Sequence, residues 1–98
     1  MKLLTKVLEK KFPKLYENEK KEPKDIKIIA KFFCPWNQWT WFATEYDGED
    51  TFFGYVKGDF DELGYFTLSE LKSVKGPFGL KIERDLYLDD ITLEEVMK

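Results

Sequence analysis

The sequence predicts an α+β fold, an antiparallel sheet of four or five strands flanked by three short helices. Three observations predict it. Runs of alternating residues between Asp25 and Phe66 are separated by turn signals, which is the pattern of a strand meander. Two Thr-x-x-Glu stretches further on mark helix starts. The run Lys31 to Phe42, KFFCPWNQWTWF, contains six aromatic residues among twelve, including all three tryptophans. Each large aromatic buries roughly 150–250 Å², so this run supplies much of a small core.

The elements follow in order. Leu3, Leu4, Val7, Leu8 and Phe12 fall at helical spacing and predict a helix over about residues 3–12. Pro13 ends it, because the residue before a proline is pushed out of the helical region. Residues 13–24 read as an exposed charged connector closed by Pro23. The first strand is expected over Asp25 to Phe33, with Ile26, Ile28, Ala30 and Phe32 on one face. Pro35 and Asn37 make a tight turn, and Gln38 to Tyr46 returns. Strict alternation along that strand puts Trp39, Trp41, Ala43 and Glu45 on one face and Phe42, Thr44 and Tyr46 on the other. Asp47-Gly48 signals a hairpin to a third strand over Thr51 to Lys57, and Leu63 to Phe66 is a short fourth. Thr67 with Glu70, and Thr92 with Glu95, form capping boxes. Phe66 with Leu71, and Ile91 with Val96, are the matching hydrophobic staples. Leu80 to Leu88 is expected as a last strand.

Composition bounds the function. The chain has 98 residues, 43% hydrophobic and 17% aromatic, enough for one domain over 1–98 with its own core. No apolar run approaches a membrane span, and the N-terminus carries a charge every few residues, so no membrane role and a cytoplasmic location are expected. The chain has no histidine, which removes the commonest general base, the Ser-His and Cys-His pairs and the commonest zinc ligand. Cys34 is the single cysteine and cannot close an internal disulfide. Its apolar setting beside Pro35 predicts a buried, inert thiol. Net charge is −3, but residues 1–33 balance at +5 and residues 34–98 at −8. Such asymmetry steers charged partners.

The stretches KLLTK at Lys2, KFFCPWNQWTW at Lys31, FFGYVKG at Phe52, ELGYFTLSEL at Glu62 and GLKIERDLY at Gly79 cover nearly the whole chain. Together, and in this order, they resemble a domain-of-unknown-function family of small bacterial plasmid, phage and conjugative-element proteins. The resemblance implies an accessory protein of mobile DNA, acting in gene transfer or against host defence. It brings no catalytic residues to carry over.

Three readings follow. The leading one is a non-enzymatic interaction protein that binds a protein partner through an aromatic and acidic surface. Its candidate residues are Trp36, Trp39 and Trp41 as anchors, with Glu45, Asp47, Glu49 and Asp50 giving charge complementarity. A homodimer through the same kind of surface is an allied expectation. The second is a single-stranded nucleic-acid binder that uses the aromatics and the N-terminal lysines. The third is a small enzyme centred on Arg84. Alternation puts Arg84 on the apolar face of its strand, where an ion pair with Glu45 is the structural alternative to catalysis. No cofactor and no metal site are expected, since the acidic turns lack the ligand series of a calcium loop.

Overall fold

Two local turns make the meander. Asn37 Oδ1 accepts the Trp39 amide at 2.8 Å, and the Cys34 amide donates to the Trp39 carbonyl at 3.0 Å, which folds the chain back around Pro35. Asp47 Oδ1 accepts the amides of Glu49, Asp50 and Thr51 at 2.8, 2.9 and 3.0 Å, while Gly48 takes the left-handed φ of +86° that this turn needs. In the computed structural model, which describes residues 2–98, these turns join strands β1 (Ala30–Phe33), β2 (Thr40–Tyr46) and β3 (Thr51–Lys57). β4 (Glu62–Thr67) continues the meander, and β5 (Glu83–Arg84) returns to pair with β1. All neighbours are antiparallel, in the order β4-β3-β2-β1-β5. Three short helices complete the α+β fold: α1 (Lys6–Glu9), α2 (Leu68–Ser73) and α3 (Leu93–Met97).

Each face of the sheet carries its own core. On the first face, Phe52 is fully buried, and its ring meets those of Phe12, Phe32, Tyr46 and Phe66 at 4.5–5.5 Å between centroids. Leu3, Leu71 and Ile82 close over this cluster. On the second face, Phe42 and Tyr55 pack with Ile26, Ile28, Leu93 and Val96. Each face therefore removes aromatic surface from water, which is the main driving force available to so short a chain.

Both capping boxes form. Thr67 and Thr92 accept the amides of Glu70 and Glu95, and each glutamate reaches back to its threonine's amide. The N-terminal helix, in contrast, is a single turn from Lys6 to Glu9, not residues 3–12. Thr5 caps it at Leu8, while Leu3, Leu4, Leu8 and Phe12 all pack on the first core from within and beyond that single turn. Val7 is left exposed.

The first strand also differs from expectation, beginning at Ala30 rather than Asp25. Ile26 and Ile28 belong to the second core and Ala30 and Phe32 to the first, so the chain passes from one face to the other near Ile28. The Ile28 amide donates to the Ile91 carbonyl and the Ile29 amide to the Ala43 carbonyl, which marks the crossing. The last strand contracts for a similar reason. Ile82 is buried in the first core while Leu88 packs on the second, and only Glu83 and Arg84 pair with β1.

One irregularity in β2 positions the candidate site. Ala43 pairs with Gly54 but Glu45 pairs with Phe53, so Thr44 is an extra residue in a β-bulge. Its hydroxyl donates to the Phe53 carbonyl at 3.0 Å. The bulge reverses the alternation beyond it. Tyr46 joins Trp41 and Ala43 over the first core, and Glu45 turns to the second face.

Candidate binding cleft

The three tryptophans are half-buried lids on the first core. Trp36 lies flat against Gly76 and Trp39 against Gly58, so close that a Cβ on either glycine would sit 2.5–2.6 Å from the indole. Trp39 and Trp41 rings are 5.8 Å apart. These contacts give each indole an intramolecular role, while each keeps part of its surface open.

The acids of the β2–β3 turn are similarly engaged. Asp47 organises the turn, and Asp50 holds α2, accepting the Ser69 amide at 2.9 Å and the Ser69 hydroxyl at 2.6 Å. Glu49 stays exposed on the turn. Slight burial works against the charged form of Asp47, but the amides of Glu49, Thr51 and Asp50 outweigh it and hold the carboxyl below its ordinary value.

Glu45 is elsewhere and does something different. The residue is only 4% exposed. Its Oε1 accepts the Tyr16 amide at 3.0 Å and its Oε2 the Asn18 amide at 2.8 Å. Segment 13–24 is therefore pinned to the sheet by a buried carboxylate instead of being a free connector. Tyr16 adopts a left-handed backbone, φ 73°, to present its amide.

The expected Arg84–Glu45 pairing is corrected by the same register. Arg84 pairs with Phe32 on β1, which in turn pairs with Trp41, so Arg84 belongs to the first face and Glu45 to the second. Neighbouring Asp85 takes the basic partner on β1: its amide bonds the Lys31 carbonyl, and its carboxylate lies 3.8 Å from Lys31 Nζ. Cys34 is buried, and burial pushes its thiol above the ordinary value despite a bond from Asn37 that lowers it.

Over Glu45 opens a cleft of about 360 Å³, walled by Tyr16, Phe53, Leu63 and Tyr65. The Phe53 and Tyr65 rings meet edge to face at 5.1 Å. A hydrogen bond between the Tyr16 and Tyr65 side chains raises the Tyr65 phenol, and the negative charges of Glu45 and Glu19 add to the effect. Larger hollows of about 650 and 490 Å³ lie beside Leu71 and beside Arg84. Size does not choose among them; chemistry does. Asn18, Thr44 and Glu45 are the buried polar residues among those described, and all three line this one cleft. A carboxylate has about four lone-pair sites, and the two backbone amides use two of them. The remaining capacity suits a cation.

Tyr16, Asn18, Phe53 and Tyr65 escaped sequence reasoning. The sequence carries no clear signal of the bulge, because large apolar residues stand at both odd (Trp39, Trp41) and even (Phe42, Tyr46) positions along this stretch. Among the described residues no group of three or more histidine, cysteine or carboxylate side chains could hold a metal ion, and no helix is long and apolar enough to cross a membrane.

Fold and cleft together define a small α+β module, an antiparallel sheet with an aromatic-walled acidic cleft on its second face. The chain belongs to the family DUF2958, proteins of unknown function, whose model matches residues 3–94. No curated protein and no solved structure matches the chain.

Proposed function

We propose that the protein is a non-enzymatic binding module whose cleft receives an arginine or lysine side chain of a partner protein. One observation carries this reading: the buried polar residues of the described chain converge on a single cleft with aromatic walls. A guanidinium entering it meets the Glu45 carboxylate and the aromatic walls of Tyr16, Phe53 and Tyr65, in competition with the chain's own Lys21. This combines a charge-assisted hydrogen bond with cation–π attraction. Because burying both charges costs desolvation, the pair contributes specificity more than raw affinity. The −8 balance of residues 34–98 favours approach of a basic surface. The stretches resembling plasmid, phage and conjugative-element proteins make components of gene transfer or host defence the first partners to try.

The test is an NMR titration with N-acetylargininamide and its uncharged analogue N-acetylcitrullinamide. The reading expects weak binding, about millimolar, with shifts at Glu45, Phe53 and Tyr65 for the charged probe alone. Glu45→Gln and Phe53→Ala should each abolish it while the remaining amide spectrum stays folded. Equal shifts from both probes, or none at these residues, would sink the proposal. Quenching of tryptophan fluorescence by a single-stranded oligonucleotide, lost with salt, would move the function to nucleic acid.

A further inference from the structure

The two edges of the sheet are built differently. β5 is two residues long, and the chain leaves it at Asp85, which accepts the Tyr87 amide in a tight turn. β4 is six residues long, and among the described residues no strand lies beyond it. Natural sheets blunt such edges with lysine, proline, a bulge or brevity. Positions 63–66 of β4, Leu-Gly-Tyr-Phe, contain none of these.

The direction of the edge's hydrogen-bonding groups follows from the ladder. The Leu68 amide donates across to the Asp50 carbonyl at 2.8 Å. Because inward and outward groups alternate, Phe66, Gly64 and Glu62 bond toward β3, and Leu63 and Tyr65 present their amides and carbonyls outward. Thr67 also points outward, but its amide already serves Glu70 at 3.2 Å. The open template is therefore Leu63 and Tyr65. Both side chains are also exposed, at 44% and 56%.

We infer that two copies of this chain pair antiparallel through β4 about a two-fold axis at Gly64, extending the sheet from five strands to ten. This register sets Leu63 of each copy opposite Tyr65 of the other and uses every outward group of both residues, four hydrogen bonds in all. It keeps the two faces in phase, because opposed positions have the same parity. Glu62 then meets Phe66, so no like charges face each other. Shifting the axis to Tyr65 would oppose Leu63 to the occupied Thr67 amide. The axial residue fits as well: nothing lies within 4 Å of a Cβ built on Gly64, so no contact within the chain demands a glycine there.

Disulfide trapping tests the register. At the axis two non-hydrogen-bonded positions face each other with Cα atoms about 4.5 Å apart, within disulfide range. In a Cys34→Ala background, Gly64→Cys should cross-link into a covalent dimer under mild oxidation, whereas Leu63→Cys, which faces Tyr65, should not. Sedimentation equilibrium of the unmodified chain should give twice its 11.7 kDa mass at high concentration. Leu63→Pro removes an outward amide from each copy and should weaken the dimer about tenfold or more. Glu45→Gln should leave the dimer intact, which separates this result from the fate of the cleft. A monomer at all concentrations, or cross-linking at position 63 as fast as at 64, would overturn the inference.

Discussion

Asp47 organises the β2–β3 turn with one carboxylate oxygen that accepts three amides. Its carboxyl is held low in the fold, so the charged form is favoured there. The stabilisation is therefore present above the unfolded carboxyl value of about 3.9 and is lost as pH falls through the lower folded value. Asp47→Asn should lower stability at neutral pH, by no more than about 1 kcal/mol since the group is exposed. In thermal melts the difference from the parent should shrink toward acid, and a constant difference down to strong acid would contradict the assignment. Two glycines of the same sheet make a sharper contrast at this scale. A Cβ on Gly54 would meet the Phe42 carbonyl oxygen, whereas one on Gly64 meets nothing. Gly54→Ala should cost about 2 kcal/mol or more from overpacking. Gly64→Ala should be neutral or stabilise by about 0.5 kcal/mol through the unfolded chain. Denaturant melts of the two variants settle the order.

At the scale of the element, α2 is a six-residue helix held at its N-terminus by two caps. Thr67 accepts the Glu70 amide at 3.1 Å, and Asp50, from the turn after β2, accepts the Ser69 amide. So short a helix has little stability of its own. Asp50→Ala should cost about 1 kcal/mol, and a double-mutant cycle with Thr67→Ala should show coupling between the caps. Strict additivity would mean that they act on independent parts of the helix. The Thr67 cap was legible in sequence because its partner is three positions away. The Asp50 cap was not, because Ser69 lies 19 positions further on and the chain between them has to fold before they meet. The same distinction explains α1. Helical spacing from Leu3 to Phe12 is a local pattern, but Leu3, Leu4, Leu8 and Phe12 are all drawn onto the first core, and burial there outweighs about six further helical residues.

For the whole molecule, two aromatic cores share one sheet, and Phe52 is the centre of the larger. Phe52→Ala should cost about 3–5 kcal/mol, since the ring leaves a cavity lined by four other aromatics that cannot collapse fully. For a domain of this size that is a large fraction of total stability. Urea unfolding should show the midpoint collapse, and a loss below about 1 kcal/mol would mean that the cluster repacks around the gap. The inferred pairing through β4 belongs to this scale too. It makes apparent stability rise with protein concentration, because association favours the folded chain by mass action.

The fold class, the meander, both tight turns and both capping boxes were determined by the sequence itself, since each rests on residues a few positions apart. Proline and asparagine bend the chain at once, a threonine caps the amide three residues on, and alternation reports a strand wherever it runs unbroken. The location of the acidic and aromatic site was decided only in three dimensions. One extra residue, Thr44, carries Glu45 from the tryptophan face to the opposite one, and there it meets Tyr16 and Asn18, 29 and 27 positions earlier in the chain. Strand alternation has a period of two, so a single inserted residue exchanges the faces of everything beyond it. Its placement depends on which strands pair and in which register, which is a property of the assembled sheet.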